Sequence, residues 1–247
     1  MTNPLNRRLL RVTGTDAKGF LQGLITNDVA KLDDGIVYAA LLTPQGKYIA
    51  DFFLVPDTDA ILLDTDAEQT DALAKRLTMY KLRADVQIEH DKREVTLGTG
   101  DTPAGAFRDP RNPALGWRSY QGDTNQPTDW TALYVTHSIP QAGVELTPES
   151  YILEMGFEHL NGVDFKKGCY MGQELTARMK HKTELRKGLA QIDIQGVAPI
   201  GTPIATANEK PAGTLYSQSA GKALAYLRFD RAIGPLNAKD AQITYTP

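Results

Sequence analysis

The spacing of apolar residues along the first hundred positions predicts β-strands interrupted by two helices. Runs rich in β-branched and aromatic residues, typical of strands, cover 8–13, 36–42, 47–55, 60–63, 85–89 and 93–97. The second and third runs flank Thr43-Pro44-Gln45-Gly46, whose residue types favour a tight turn, so we expect a hairpin there. Apolar residues recur at helical spacing after Thr15 and over 66–80, which predicts a helix in each place.

The middle of the chain is less periodic. Between 99 and 127 the residues Gly, Pro, Asn and Asp are frequent, which favours loops with at most one short strand. Helices are predicted over 128–137 and 148–160, and Pro140 separates them.

The pattern changes after Lys187, where short strands are separated by Gly or Pro. They are predicted over 188–194, 203–206, 212–217, 222–229 and 242–245. A series of short strands at regular spacing is typical of a small barrel or sandwich. The pattern therefore predicts an α+β body at 1–185 and an all-β domain at 186–247.

Composition places the chain among ordinary globular proteins. Of its 247 residues 41% are hydrophobic, and 27 Lys and Arg against 30 Asp and Glu give a net charge of −3. This balance argues against a dedicated nucleic-acid or membrane-surface protein, which normally carries a basic excess. No apolar run approaches the ~18 residues of a membrane span, and Met1 to Arg11 lack the apolar stretch of a secretory signal. We expect a cytoplasmic monomer that does not enter membranes.

Cys169 is the only cysteine, which excludes an intramolecular disulfide and a zinc site built from several cysteines of this chain. Apolar residues recur every four positions from Met171 to Met179, which predicts a helix with Cys169 at or just before its N-terminus. The helix dipole and the neighbouring Lys166 and Lys167 would favour the thiolate, which is the nucleophilic and metal-ligating form. The plainer alternative is a small buried hydrophobic side chain.

Positive charge is concentrated around this cysteine. The stretch from Lys166 to Lys187 contains seven Lys or Arg and two Glu, a net charge of +5 in a chain whose total is −3. Such a stretch is either a solvated helix face or a surface for an anionic ligand or partner, such as a polyglutamate tail, a tRNA or an acidic protein. His181 lies within it and is the one histidine that we retain as a candidate for chemistry.

The cysteine belongs to the run Lys167-Gly168-Cys169-Tyr170-Met171-Gly172-Gln173-Glu174. This run resembles the K-G-C-[FY]-x-G-Q-E signature of the YgfZ family, which are folate-binding proteins related to the T-protein of the glycine cleavage system and implicated in iron–sulfur cluster assembly or repair. Further matches follow in family order at 20–23, 26–29, 42–47, 109–111, 153–154 and 223–228. The resemblance implies a T-protein-like, folate-binding α+β body of two interleaved subdomains and a small C-terminal β-barrel.

Similarity to the T-protein also implies where folate would bind. A glutamate in the T-protein's L-E-A-G stretch holds the pterin ring, and Glu154 matches it here; a glutamate on a helix surface is the plain alternative. Asp51 matches the catalytic aspartate of the T-protein, but Phe52 stands where that protein has a second acidic residue. Tyr134 is a further departure, since many YgfZ members carry an arginine there. The case for aminomethyl transfer is weakened by Phe52, by a length about a hundred residues below that of T-proteins, and by Cys169, which replaces an aspartate of their D-F-I-G motif.

The preferred hypothesis is therefore a tetrahydrofolate-binding accessory protein in iron–sulfur cluster assembly or repair. Cys169 would act as the thiolate and as a transient cluster ligand together with a partner, because one thiolate cannot hold a cluster alone. Lys167 would support the thiolate or meet an anion, and Glu174 would orient neighbouring groups by hydrogen bonds. The alternatives are a tetrahydrofolate-dependent C1 transferase that uses Asp51, and a module that binds tRNA or another anion through Lys166 to Lys187.

Overall fold

The five-stranded sheet at the start of the chain forms from the runs of β-branched and aromatic residues that predict strands there. The computed structural model describes residues 6–181 and 185–246. The strands of this sheet are β1 Arg7–Thr13, β2 Val37–Leu42, β3 Tyr48–Pro56, β4 Ile61–Asp66 and β5 Gln87–Asp91. They run antiparallel in the order β2-β3-β4-β1-β5, and the β2–β3 hairpin is confirmed.

The two faces of this sheet bury different cores. Helices α1 Ala17–Gln22 and α2 Thr70–Tyr80 pack on one face, where Leu10 and Val12 of β1 point. Leu9 of β1 points to the opposite face and joins a core shared with the middle of the chain. Because side chains alternate along a strand, one sheet supports both cores.

A three-stranded sheet lies against the second core. Its strands are β6 Thr96–Gly98, β7 Phe107–Arg108 and β8 Trp117–Ser119, in the order β6-β8-β7. The predicted loop region thus contains two short strands where at most one was expected. The helix predicted over 128–137 is confirmed as α3 Trp130–Thr136, and Asp129 accepts a hydrogen bond from the N–H of Ala132 at its start.

The helix predicted over 148–160 is wrong. The segment from 152 to 161 is a succession of hydrogen-bonded turns. Gly156 interrupts helical geometry with a φ of +79°, and Asn161 follows with a φ of +54°. Both angles lie in the left-handed region, which a right-handed helix cannot accommodate.

The C-terminal strands close into a six-stranded barrel. They are β9 Lys187–Gln195, β10 Pro203–Thr206, β11 Pro211–Ser219, β12 Lys222–Arg228, β13 Leu236–Ala238 and β14 Ala241–Thr244. Their order is β10-β11-β12-β9-β14-β13, and β13 is the strand that the sequence pattern did not predict. Alternate residues such as Ile192, Ile194 and Leu227 fill the interior. The predicted α+β body with a C-terminal barrel is therefore confirmed.

Specific polar contacts join the barrel to the body. Glu145 of the body is 1% exposed, and its carboxylate accepts hydrogen bonds from the N–H and hydroxyl of Ser217 on β11, at 3.2 and 2.6 Å. Gln191 on β9 donates to the carbonyl oxygen of Val135 at 2.8 Å. Of the helices in the described ranges, none has the length and apolarity needed to cross a bilayer.

Candidate functional site

Cys169 lies on an exposed loop, residues 164–172, which we call the cysteine loop. Asp164 holds its first half, because one carboxylate oxygen accepts from the backbone N–H groups of Lys166 and Lys167, at 2.6 and 3.2 Å. The other oxygen forms an ion pair of 2.8 Å with Lys31. The start of the loop is therefore fixed by one carboxylate with three donors.

Lys167 is the buried member of the lysine pair, with 7% of its surface exposed. Its ammonium donates to the carbonyl oxygens of Gln22, Ile25 and Asn27, at 2.8, 2.6 and 2.9 Å. These bonds use all three N–H donors of the ammonium. Burial lowers the pKa of Lys167 to about 8, although nearby carboxylates oppose this change. Lys167 thus directs its hydrogen bonds at the backbone around the end of α1 rather than at Cys169.

The end of the cysteine loop packs closely against the β2–β3 hairpin turn. The N–H of Met171 donates to the carbonyl oxygen of Gly23 at 3.2 Å. Gly172 has a φ of +80°, and a Cβ placed there would lie 2.5 Å from the carbonyl oxygen of Thr43. The stretches at 20–23, 26–29 and 42–47 that carry the family resemblance therefore meet around the cysteine loop.

The helix behind the cysteine begins later than the sequence predicts. Helix α4 spans Gln173–His181, so Cys169 lies four residues ahead of it. Gly172, in its left-handed conformation, causes the delay. The expected effect of the helix dipole on the thiol is not supported, because that effect falls off within one turn. The alternative of a buried hydrophobic cysteine is wrong, since Cys169 is exposed.

Glu174 and the basic stretch face solvent. Glu174 is exposed in the first turn of α4, and no side chain in the described ranges is hydrogen-bonded to it. Lys180 forms an ion pair with Glu158, whereas Lys166 and Arg178 are exposed and have no acidic partner within 6–181 and 185–246. The part of the predicted basic stretch at 182–184 lies outside the described residues.

Glu154 lies where the body meets the barrel, on the series of turns that replaces the predicted helix. The hydroxyl of Tyr226 on β12 donates to its Oε2 at 2.6 Å, and the N–H of Leu189 on β9 donates to its backbone carbonyl at 2.7 Å. Burial, and secondarily this carboxylate, raise the pKa of Tyr226, so it stays a hydrogen-bond donor. Oε1 of Glu154 has no hydrogen-bond partner among the described residues. The carboxylate is oriented by the barrel and keeps one oxygen free.

Asp51 is buried, and each of its carboxylate oxygens accepts a hydrogen bond from a tyrosine. Its Oδ2 accepts from the hydroxyl of Tyr38 at 3.0 Å, and its Oδ1 accepts from the hydroxyl of Tyr48 at 2.7 Å. A ligand that needs this carboxylate would have to reach it in the core, beside the two tyrosine hydroxyls. No direct contact joins Asp51, Glu154 and Cys169 to one another within the described ranges.

A chain of opposite charges at the centre of the body was missed by sequence reasoning. Asp64 on β4 accepts from Arg7 at 2.6 Å and from Arg118 at 2.7 Å. Arg118 also contacts Asp109 at 3.2 Å, and Asp109 binds Arg111 at 2.8 Å. The signal that could have revealed it is Asp64, which interrupts the apolar run of β4, since a buried charge needs a partner.

The charges in this network hold its carboxylates ionised. Burial opposes ionisation of Asp64 most strongly, but the guanidinium groups of Arg7 and Arg118 outweigh it and lower the pKa of Asp64. The pKa of Asp109 is lowered in the same way by Arg111 and Arg118 against the effect of burial. Both carboxylates therefore contribute to stability as anions.

Tyr134, the residue that departs from the YgfZ pattern, is part of the packing around this network. It is buried on α3, and the guanidinium carbon of Arg111 lies 5.6 Å from the centre of its ring. The same guanidinium lies 4.9 Å from the ring centre of Phe53. Tyr134 thus supplies an aromatic surface for a buried cation.

The described residues offer no metal-binding group of their own. No set of three or more His, Cys, Asp or Glu side chains is arranged to hold a metal ion within 6–181 and 185–246. His181 is exposed at the end of α4 and stays a weak candidate. Any cluster bound through Cys169 needs ligands from another molecule.

One further observation bears on a pterin ligand. Trp130 belongs to the same core as Leu153 and Tyr226, and its indole N–H is buried without an acceptor in the described part of the chain. The free Oε1 of Glu154 is an unused acceptor, and the indole of Trp130, like that of Trp117, is a buried donor without an acceptor in the described part of the chain. An aminopterin carries both donors and acceptors, so these residues fit folate.

The fold defines the class of protein. The chain has the aminomethyltransferase T fold: a crystal structure of glycine cleavage system aminomethyltransferase T from Bartonella henselae matches it with a TM-score of 0.74 over 98% of this chain and 83% of that chain. At 15% identity this likeness shows the fold alone. Residues 186–247 match the family described as CAF17, C-terminal beta-barrel domain.

Sequence comparison identifies the family. The mouse iron–sulfur cluster assembly factor IBA57, mitochondrial, is 30% identical over 96% of this chain and 79% of its own length. The human protein of the same name is 29% identical over the same shares. A homologue from Neurospora crassa is 30% identical over 81% of this chain and 55% of its own length. The chain belongs to the IBA57 family of iron–sulfur cluster assembly factors.

The expectation of a cytoplasmic location is wrong. It rested on the single cysteine and on the absence of an apolar stretch from Met1 to Arg11, of which residues 1–5 lie outside the described residues. The mouse, human and Neurospora relatives are all named as mitochondrial proteins. Neither of the two sequence features distinguishes the cytoplasm from another reducing compartment.

Proposed function

We propose that this protein acts in iron–sulfur cluster assembly, that it binds tetrahydrofolate, and that Cys169 is the thiolate through which it contacts a cluster. The carrying observation is the cysteine loop, which presents an exposed thiol on a backbone fixed at both ends. Membership of the IBA57 family supports the assembly role. A cysteine with only a packing role would be buried, whereas Cys169 is exposed.

The cluster is cargo rather than a resident group. In the proposed step, the Cys169 thiol gives up its proton, the resulting thiolate replaces one thiolate on a partner's or small thiol's cluster, and the displaced thiolate takes up that proton and leaves as a thiol. No electron is transferred. The exposed charges of Lys166 and Arg178 favour this approach, because a cluster held by four thiolates is an anion.

The folate part of the proposal rests on Glu154. Its carboxylate would accept hydrogen bonds from the amino-bearing edge of the pterin, and Trp130 would donate to an acceptor on the ligand. Tetrahydrofolate supplies a reduced pterin able to carry one-carbon units. We do not extend the proposal to aminomethyl transfer, because Asp51 is buried beneath two tyrosine hydroxyls and Phe52 stands where the T-protein has a second acidic residue.

The test of the thiolate role uses a [2Fe–2S] cluster coordinated by glutathione as the probe. Glutathione is itself chiral, so the readout is the change in visible circular dichroism, relative to the free glutathione-bound cluster, when a protein thiolate fixes the cluster in the environment of the fold. We expect a saturable signal with the reduced wild-type protein and none with Cys169→Ser. Lys166→Met keeps the thiol and removes one exposed charge, so it should weaken the signal without abolishing it.

The outcomes separate the alternatives. A wild-type signal that persists in Cys169→Ser would refute the thiolate role. A signal lost in Cys169→Ser and weakened several-fold with added salt would support both the thiolate and the basic surface. No signal with the wild-type protein would contradict the proposal that Cys169 takes up a cluster.

A further inference from the structure

One side chain of the barrel contacts Glu154, the residue on which the proposed folate site rests. Tyr226 on β12 is the donor to Oε2 of Glu154, at 2.6 Å, and β9 binds the backbone carbonyl of the same residue through Leu189. At Gly188 an added Cβ would approach that carbonyl oxygen to 3.1 Å, so the barrel backbone lies directly against Glu154. Two adjacent barrel strands therefore hold both the side chain and the backbone of this residue.

We propose that Tyr226 is a positioning residue for folate recognition: it fixes the carboxylate of Glu154 so that Oε1 faces the amino-bearing edge of the pterin. The inference rests on the folate part of the proposed function and adds the barrel to the site. Without the tyrosine hydroxyl, the carboxylate could rotate about its last bond and lose the orientation that a planar ligand requires.

The geometry explains why a tyrosine suits this task. Its hydroxyl satisfies one carboxylate oxygen and leaves the second available, whereas an arginine would bind both oxygens and block the ligand. A neutral donor also leaves the negative charge of Glu154 for the ligand. Tyr226 contacts no folate atom in this scheme and acts through Glu154 alone.

The experiment is calorimetric titration of tetrahydrofolate into the reduced full-length protein under anaerobic conditions. Tyr226→Phe should weaken binding about tenfold, which corresponds to one hydrogen bond to a charged group. Glu154→Ala should abolish measurable binding, and Cys169→Ser should leave it unchanged. Tyr216→Phe is the matched control, because its hydroxyl comes from the neighbouring strand β11 and makes no hydrogen bond within the described residues.

A second ligand distinguishes positioning from a general structural effect. Tetrahydrofolate that carries a methyl group instead of its 2-amino group cannot donate to Glu154 from that position. The wild-type protein should prefer the natural ligand by about tenfold or more, and Tyr226→Phe should lose most of this preference. A variant that merely loosens the fold would weaken both ligands equally and keep the preference.

The outcomes distinguish the positioning role of Tyr226 from folate binding itself. Equal binding by the wild-type protein and Tyr226→Phe, or an unchanged preference between the two ligands, would overturn the positioning role while leaving the folate proposal intact. Equal losses in Tyr216→Phe and Tyr226→Phe would overturn it as well. Absence of saturable binding to the wild-type protein would overturn both this inference and the folate part of the proposed function, but not the role of Cys169.

Discussion

Replacement of Lys167 by Met is the sharpest test of how the cysteine loop is held. The change keeps most of the apolar stem and removes the ammonium, which leaves the carbonyl oxygens of Gln22, Ile25 and Asn27 without their donor. A buried polar group without a partner costs ~1–3 kcal/mol. We take the lower end of about 1 kcal/mol for each carbonyl, because the variant also avoids desolvating a charge, the effect that lowers the pKa of Lys167 to about 8.

The expected loss of unfolding free energy is therefore about 3 kcal/mol for three carbonyl oxygens. The matched control is Lys166→Met, which removes an exposed ammonium from the adjacent position and should change stability by less than about 0.5 kcal/mol. Urea unfolding followed by tryptophan fluorescence is the appropriate assay, because Trp117 and Trp130, the only tryptophans, both lie in the body.

Two results would contradict this role of Lys167. If Lys167→Met unfolds at the same urea concentration as the wild-type protein, the three carbonyl contacts do not hold the loop. If Lys166→Met is destabilised as much as Lys167→Met, the effect comes from net charge near α4 and not from burial. Neither result would bear on whether Cys169 binds a cluster.

Two further predictions concern the loop and the central charge network. Gly172→Ala should destabilise the body by about 1–3 kcal/mol, because its φ of +80° disfavours a side chain and the carbonyl oxygen of Thr43 leaves no room for a Cβ. The control is Gly168→Ala, where an added Cβ would meet open space. Equal urea midpoints for the two variants would contradict this role of Gly172. Asp64→Asn should be destabilised by about 3–5 kcal/mol at pH 7 because it breaks a buried ion pair. The pKa of Asp64 is lowered in the folded state, so its contribution is complete above about pH 4 and is lost as the pH falls further. The stability gap between wild type and Asp64→Asn should therefore narrow toward pH 2 in the same unfolding assay, and a gap that stays constant with pH would refute this role.

Local patterns were sufficient for much of the fold. The sequence predicts β1 to β4, the turn at Thr43-Pro44-Gln45-Gly46 and α2 directly, because strand-favouring composition, turn residue types and helical spacing are properties of neighbouring residues. The regular short strands after Lys187 likewise predict the barrel. The helix predicted over 148–160 failed because Gly156 takes a left-handed conformation, which apolar spacing does not reveal.

For the candidate site, too, some features follow from the sequence and others only from the tertiary structure. The sequence by itself determined that Cys169 is the only thiol, that it lies in a basic stretch, and that its signature belongs with the other matching stretches. Only the tertiary structure decided what the neighbours do: Lys167 binds the carbonyls near α1, tyrosine hydroxyls occupy Asp51, and Tyr226 holds Glu154. The reason is physical, since a hydrogen bond between residues 72 or 140 positions apart depends on how strands and loops pack. A sequence shows which residues are charged, but the tertiary structure determines which group each of them contacts.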